Sequence, residues 1–334
     1  MSINDEDRHG TRIVVIGGGT GSFTLLTGLK HYVRYISALV NMADDGGSTG
    51  VLRDEYGVLP PGDVRQCLTA LSDLGEARNL FGYRFEDGPL AGHSFGNLFL
   101  TAAEKLTGSF ESGVELASKM LRIHGAVHPI TDANVEVRMR TPDGNVHEGE
   151  FLISSLHFSP GRPDLWLEPG ATITDRSRQA IHEADLVVIA QGHLYGSIAP
   201  ALVVDGVSEA ILESSAKTVY VCNLMTKAGQ TDGFTPIDFA DEIERFAGAP
   251  ILNYVLYNTN LPSEEILYRY AADGDHPVRA SGDMNVRLWT PIGADLLSRD
   301  VVEPVPGDPI SASRSLLRHD PYAVARALMK VYYS

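Results

Sequence analysis

Two glycine-rich loops stand near the start of the chain, and each follows an apolar run that predicts a buried strand. The first covers residues 17–22 after the run at 13–16, and the second covers residues 44–50 after the run at 36–42. A strand that enters a glycine turn and then a helix directs free backbone N–H groups at one point, which is how α/β proteins hold phosphate. Two such loops therefore predict one nucleotide or phosphorylated ligand that contacts both.

Size and charge exclude several classes of protein. The 334 residues carry a formal net charge of −16, so the chain is a poor partner for nucleic acid, which needs clustered Lys and Arg. No apolar run approaches the roughly 20 residues of a membrane span, so we expect no membrane insertion. The two cysteines, Cys67 and Cys222, lack metal-type spacing and fit a reducing cytoplasm.

The order of apolar and polar segments predicts a single α/β domain over residues 11–332, preceded by a disordered tail at 1–10. Strand, loop and helix alternate, which predicts a mainly parallel sheet covered on both faces, in three layers. Residues 133–155 differ, because Val135, Val137 and Met139 alternate with charged residues before a turn. This segment predicts an inserted antiparallel hairpin, as a sheet-edge or cap element between α/β units.

The two early loops supply the first candidate ligand-binding residues: Gly18, Gly19, Thr20 and Gly21, then Asp44, Asp45, Gly46, Gly47 and Ser48. The first loop lacks the Lys-Ser or Lys-Thr pair of a Walker A motif, which argues against P-loop ATP hydrolysis. It is close to a shifted dinucleotide fingerprint, so an NAD-dependent oxidoreductase with Asp44 or Asp45 on the ribose is an alternative. The second glycine loop argues against it, because a ribose-binding acid needs no such loop.

Charged residues around the loops have several possible roles. Asp44, Asp45 and Asp63 are candidates to hold Mg²⁺ on phosphates, to bind a sugar hydroxyl or to cap a helix. Asp63 is the expected N-cap of the helix that follows Pro60. Arg53 and Arg65 lie just beyond the loops, where either could pair with a diphosphate instead of facing solvent.

Further polar loops follow later predicted strands or precede predicted helices. The additional candidate ligand-binding residues are Gly62, His93, Ser94, Asn97, Gly192, His193, Tyr195, Asn223 and Arg318. Tyr195 could stack on a base or sugar, or it could belong to the core. The candidate catalytic residues are Asp45, Asp63 and His93. No Asp or Glu is placed in the sequence so that it would identify a Ser-His-Asp triad.

The motifs form a specific ordered set: Gly17-Gly18-Gly19-Thr20-Gly21, Ala43-Asp44-Asp45-Gly46-Gly47-Ser48-Thr49-Gly50, Pro60-Pro61-Gly62-Asp63-Val64-Arg65, Gly92-His93-Ser94-Phe95-Gly96-Asn97, Thr231-Asp232-Gly233-Phe234-Thr235 and Arg318-His319-Asp320. In this order they resemble the YvcK/CofD-like family, which includes bacterial gluconeogenesis factors and 2-phospho-L-lactate transferases. The resemblance covers the chain from Ile13 to about Tyr332.

The resemblance implies a Rossmann-like fold and a homodimer. Its gluconeogenesis-factor branch implies a cytoplasmic regulator that binds UDP-sugars such as UDP-N-acetylglucosamine, controls cell-envelope precursor supply and cell shape, and has a regulatory protein partner. In that case the glycine loops hold the nucleotide or the diphosphate, and Arg318 contacts the phosphates. The transferase branch implies a Mg²⁺-dependent enzyme that moves a phospholactyl-type group, with Asp45 and Asp63 matching its metal-binding carboxylates. Whether a reaction is catalysed stays open.

One loop departs from the family pattern. Residues 190–197 read Ala-Gln-Gly-His-Leu-Tyr-Gly-Ser, where the family has Gly-Pro-Gly-Ser-Leu-Tyr-Thr-Ser, and Gln66 replaces the usual Asn. These positions should line the pocket, so they leave the identity of the base and the sugar open.

Overall fold

The computed structural model describes residues 10–158, 161–284, 287–299 and 317–334. A seven-stranded parallel sheet forms the centre of the fold, in the order β10-β9-β8-β7-β1-β2-β3. Its strands are β1 Arg12–Gly17, β2 Tyr35–Val40, β3 Ala126–Pro129, β7 Leu186–Ile189, β8 Lys217–Val221, β9 Tyr254–Asn258 and β10 Thr290–Ala294. The expected mainly parallel Rossmann-like sheet is confirmed.

Strand order reverses between β1 and β7. The chain moves outward from β1 through β2 and β3, then crosses to place β7 on the other side of β1, with Ile13 opposite both Ile36 and Leu186. All four residues of β7 are fully buried, so helices and loops cover both faces of the sheet here. Ligands of such sheets bind outside the carboxyl ends of the strands at this reversal.

Helices connect the parallel strands. They are α1 Gly19–Leu29, α2 Gly47–Tyr56, α3 Pro61–Leu71, α4 Gly75–Gly82, α5 Phe95–Thr107, α6 Phe110–Leu121, α7 Glu150–Ser155, α8 Asp175–His182, α9 Ala199–Leu202, α10 Val207–Glu213, α11 Pro236–Ala247, α12 Glu264–Ala272 and α13 Pro321–Tyr333. Helix α1 contacts both α3 and α13. A Cβ on Gly28 of α1 would stand 2.0 Å from the carbonyl oxygen of Pro321, so only glycine allows this close approach.

The inserted hairpin is confirmed and belongs to a second, antiparallel sheet. Strand β4 Glu136–Arg140 pairs with β5 Val146–Glu148, as expected, and also with β6 Asp164–Glu168, which the alternation had not revealed. The alternating apolar residues Val135, Val137 and Met139 face the core. Helix α7 follows β5 directly, so the hairpin delivers this short helix to the main domain.

One local expectation is wrong, and another concerns residues that lie almost entirely outside the described ranges. Pro60, not Asp63, is the N-cap of α3; Asp63 lies in its first turn, where a carboxylate is favoured by the helix dipole. The expected disordered tail falls almost entirely on residues 1–9, which are outside the described part of the chain. Within the described ranges, no helix has the length and apolar character needed to cross a membrane.

Candidate functional site

Four helices begin around one cavity at the carboxyl edge of the parallel sheet. The cavity has a volume of about 160 Å³ and receives residues from the first turns of α1, α2, α3 and α5. It is lined by Gly19, Thr20, Asn41, Asp44, Gly46, Gly47, Ser48, Thr49, Gly62, Asp63, Arg65, Gln66, Arg84, Asn97, Glu150 and Ser197. Helix N-termini carry unpaired N–H groups and a partial positive charge, so their convergence favours an anion.

The first glycine loop makes room for Asp63. A Cβ on Gly18 would lie 2.1 Å from Oδ2 of Asp63, so the carboxylate rests directly on the bare loop. Gly19 has a φ of 57°, a left-handed conformation that favours glycine. Gly21 has a different role, because its Cβ would stand 1.7 Å from the carbonyl oxygen of Gln191. It allows α1 to approach the loop after β7 and does not line the cavity.

The second glycine loop turns its two aspartates in different directions. Asp44 lines the cavity, and its Oδ1 accepts a hydrogen bond from the backbone N–H of Gly46 at 3.0 Å. Removal of this carboxyl from water raises its pKa above the ordinary range. Asp45 does not line the cavity; its Oδ1 accepts a hydrogen bond from the backbone N–H of Phe151 at 2.7 Å. Asp45 therefore accepts a hydrogen bond from the first turn of α7, although it lies far from this helix in sequence.

A chain of polar contacts connects three of the loops. His93 Nδ1 is hydrogen-bonded to Ser48 Oγ at 2.9 Å, and Asn97 Nδ2 donates to the same oxygen at 3.2 Å. Arg65 Nε donates to Asn97 Oδ1 at 2.9 Å. Ser94 is the N-cap of α5, where its Oγ accepts from the backbone N–H of Asn97. These contacts hold the side chains of Ser48 and Arg65 at the cavity.

Of the two arginines that follow the loops in sequence, Arg65 reaches the cavity and Arg53 does not. Arg65 and Arg84 line the cavity. Arg53 is only 9% exposed, and its guanidinium donates to the carbonyl oxygens of Asp44 and Val135 and to Oδ1 of Asn134. Arg53 therefore braces the second loop from behind. Arg84 could not be found from sequence, because no motif precedes it.

Glu150, the first residue of α7, is the principal site residue that sequence reasoning missed. It lines the cavity, and its Oε1 lies 2.5 Å from the point where a Cβ on Gly196 would stand. Removal of its carboxyl from water, reinforced by the negative charges of Asp44, Asp63 and Asp45, raises its pKa well above the ordinary range. No sequence signal marked this residue, since its place depends on how the antiparallel sheet folds back.

The loop after β7 is tied to the loop after β8. The backbone N–H of Gly192 donates to Asn223 Oδ1 at 3.1 Å, and Asn223 Nδ2 donates to the carbonyl of Gly192 at 2.7 Å. His193 Nδ1 accepts from the backbone N–H of Gly196 at 2.8 Å. Loss of solvation, together with the charge of Lys227, lowers the pKa of His193 to about 4, so its ring is neutral at pH 7.

Tyr195 and Arg318 lie outside the cavity lining. Tyr195 is fully buried, its hydroxyl donates to Glu242 at 3.3 Å, and its ring contacts those of Phe158 and Phe246. Of the two possible roles, the structure assigns it to the core. Arg318 is half-buried and precedes His319, whose Nε2 is hydrogen-bonded to the carbonyl of Cys222 at 3.1 Å, at the carboxyl end of β8.

The predicted residues therefore fall into two groups. The cavity gathers Gly19, Thr20, Asp44, Gly46, Gly47, Ser48, Gly62, Asp63 and Asn97, with Gly18, His93 and Ser94 in direct support of them. The cavity lining does not include Gly21, Asp45, Arg53, Gly192, His193, Tyr195, Asn223 and Arg318.

Comparison with known proteins places the chain in context. A sequence model of the 2-phospho-L-lactate transferase CofD family matches residues 13–297. The gluconeogenesis factor of Bacillus subtilis strain 168 is 36% identical over 320 residues, which covers 95% of this chain and 97% of that protein. The gluconeogenesis factor of Halalkalibacterium halodurans is 40% identical over 269 residues, covering 80% and 83%. A crystal structure of a UPF0052 family protein from Bacillus halodurans has a TM-score of 0.87 and 35% identity, and covers 96% of this chain and 99% of that one.

Proposed function

Because this chain belongs to the CofD family and is similar along most of its length to gluconeogenesis factors, we propose that it is a regulatory protein that binds a nucleotide-sugar of the UDP-N-acetylglucosamine type. The proposal includes a role in cell-envelope precursor supply and cell shape, a homodimer, a regulatory protein partner and a cytoplasmic location.

The observation that carries the proposal is the convergence of four helix N-termini on one cavity. The first turns of α1 and α2 contribute Thr20, Gly47 and Ser48, and two arginines, Arg65 and Arg84, reach the same space. Backbone N–H groups and guanidinium groups together are the donors that hold a diphosphate in α/β proteins. The hydroxyl and amide side chains at the same wall supply neutral hydrogen bonds that orient a ligand.

Isothermal titration with UDP-N-acetylglucosamine, UDP-glucose and UDP-glucuronate tests the proposal, with and without Mg²⁺. We expect binding of at least one UDP-sugar, weakened when Arg65 is replaced with Ala. Gln191→Ala is the matched control, because Gln191 follows β7 but does not line the cavity. Absence of heat with all three ligands at concentrations well above micromolar would refute the proposal.

A second candidate function, a metal-dependent phospholactyl-type transferase, is favoured by one specific feature. Three carboxylates, those of Asp44, Asp63 and Glu150, face a cavity built for an anion. Each of these groups that is ionised repels a phosphate unless a cation accompanies it. Carboxylates are the ligands that Mg²⁺ takes together with phosphate oxygens, usually one or two at a time.

The acidic residues of the cavity fit a cation that is bound together with the ligand better than they fit a cation that the protein holds by itself. No cluster of three or more His, Cys, Asp or Glu side chains within the described ranges is arranged to hold a metal ion. Asp44 and Asp63 would hold Mg²⁺ beside the phosphates, whereas Asp45 faces α7 and does not fit this role. The bound ion would supply charge neutralisation at the phosphates. Asp63 and Thr20 would orient the ligand against the first glycine loop.

Matched variants separate the two carboxylates that the family resemblance assigned to a metal. Asp63→Asn should abolish Mg²⁺-dependent ligand binding and any Mg²⁺-dependent turnover of a nucleotide-activated phospho acid. Asp45→Asn should leave both within a few-fold of wild type, since its carboxylate lies outside the cavity and the Oδ1 of Asn can still accept from the backbone N–H of Phe151. Equal losses in both variants would refute this assignment, and turnover that survives in Asp63→Asn would remove the transferase candidate.

A further inference from the structure

The cavity is smaller than the ligand proposed for it. Its volume of about 160 Å³ lies below the roughly 300–1,000 Å³ of sites that enclose a whole small molecule. Helix N-termini and arginines surround it, so the phosphates are the part of a nucleotide-sugar that fits inside. The base or the sugar must then lie over the rim.

Phe151 stands at that rim. It follows Glu150, which lines the cavity, and its ring carbon Cδ2 lies 3.6 Å from the point where a Cβ on Gly46 would stand. Gly46 precedes the first turn of α2, where the phosphates are proposed to bind. Phe151 is 53% exposed, so much of this aromatic residue beside the proposed phosphate position is open to solvent.

The short helix that carries Phe151 is held at both ends. At its start, Asp45 Oδ1 accepts from the backbone N–H of Phe151 at 2.7 Å. At its end, the buried Gln230 side chain donates to the carbonyls of Ile153 and Leu156 at 2.8 and 2.9 Å. A platform fixed in this way loses little entropy when a ligand binds. The need to hold this helix also accounts for the position of the Asp45 carboxylate, which faces α7 and is a poor fit for a metal.

Tyr195, Tyr83 and Phe85 lie close in sequence to residues of the cavity lining, but they are placed differently from Phe151. Tyr195 is fully buried. Tyr83 and Phe85 flank Arg84 in an extended segment that bridges Ser94, and their rings contact each other. Successive side chains of an extended segment point to opposite sides, so we expect the two rings to lie on the side away from Arg84, which lines the cavity.

We propose that Phe151 is the stacking platform for the planar base of a nucleotide whose phosphates occupy the cavity, with Asp45 as the residue that positions it. This inference rests on the proposed function, because it takes the ligand to be a nucleotide. Base–aromatic stacking is tolerant of base identity, so the platform contributes affinity more than discrimination among bases.

Titration of wild type, Phe151→Ala and Phe151→Tyr with UDP-N-acetylglucosamine and with inorganic pyrophosphate tests this inference. Phe151→Ala should weaken binding of the nucleotide-sugar roughly 5- to 150-fold, the range for loss of one stacked base. Phe151→Tyr should restore it to within about threefold, and pyrophosphate binding should change less than about twofold in either variant. Leu152→Ala is the matched control, because Leu152 is 46% exposed on the same helix and should leave both ligands unaffected.

The outcomes separate the two proposals. If wild type binds no UDP-sugar, the proposed function fails and the stacking role falls with it. If wild type binds and Phe151→Ala binds equally well, only the stacking role is refuted. Equal weakening of pyrophosphate and nucleotide-sugar in Phe151→Ala would show that the ring only shapes the cavity, which also refutes the inference. A change in oligomeric state of Phe151→Ala by size-exclusion chromatography, with unchanged affinity, would instead make Phe151 an interface residue.

Discussion

Replacement of Arg53 with Ala should cost folding stability and leave ligand recognition intact. The Arg53 guanidinium donates three hydrogen bonds, at 3.0 Å to the carbonyl of Asp44 and at 2.8 Å to both Asn134 Oδ1 and the carbonyl of Val135. A hydrogen bond to a charged group contributes about 1.5–3 kcal/mol, and contributions within one network do not add fully. Removal of the guanidinium also leaves carbonyl oxygens without their donor in a largely buried place. We therefore expect a loss of about 3–5 kcal/mol in the free energy of unfolding.

Urea unfolding followed by circular dichroism measures this loss. With a denaturant slope of about 3 kcal/mol/M, the transition midpoint should fall by about 1–1.7 M. Titration at low temperature, where the variant is still folded, should give an affinity for the UDP-sugar within about threefold of wild type, since Arg53 lies outside the cavity lining.

Arg65→Ala is the opposite case and the matched control. Arg65 lines the cavity and orients Asn97, so its loss should weaken ligand binding roughly 10- to 150-fold and change stability by less than about 1 kcal/mol. If Arg53→Ala keeps the wild-type midpoint and loses affinity as Arg65→Ala does, then Arg53 reaches the ligand. That result would refute the placement of the two arginines on which the site rests.

Three further substitutions test other parts of the site and fold. Gly18→Ala places a Cβ 2.1 Å from Asp63 Oδ2, so the carboxylate must swing away; we expect about a tenfold loss of affinity by titration with the fold retained, and unchanged affinity would contradict it. His319 is buried with its pKa lowered from 6.5 to about 4 and is hydrogen-bonded to Cys222, so its contribution to stability is present above pH 6.5 and is lost as the pH falls toward 4. His319→Gln should therefore flatten the fall of the urea-derived free energy between pH 6.5 and 4 by up to about 1.4 kcal/mol per pH unit, and an unchanged slope would count against it. Arg318→Ala should reduce affinity roughly 10- to 150-fold without loss of fold, because we expect the part of the ligand that lies outside the cavity to reach this guanidinium. A wild-type melting temperature with undiminished binding would exclude this contact.

Local patterns in the chain determined the elements and the loops that carry the site. Apolar runs that enter glycine turns produced β1 and β2 with their helices, and Asp320 at the start of the last helix is its N-cap, because turn and cap preferences act over a few residues. The alternation at Val135, Val137 and Met139 located the hairpin for the same reason.

Which side chains of those loops face the ligand was decided by tertiary structure. Asp44 and Asp45 are adjacent in sequence, yet one lines the cavity and the other caps α7, because consecutive side chains of an extended segment diverge. Arg53 and Arg65 both follow the glycine loops in sequence. Arg53 is buried because the residues that directly precede β4 of the antiparallel sheet pack against the second loop and accept its hydrogen bonds. Glu150 reaches the cavity across about a hundred residues of chain, a contact that depends on how that sheet folds back over the switch point and that no local preference encodes.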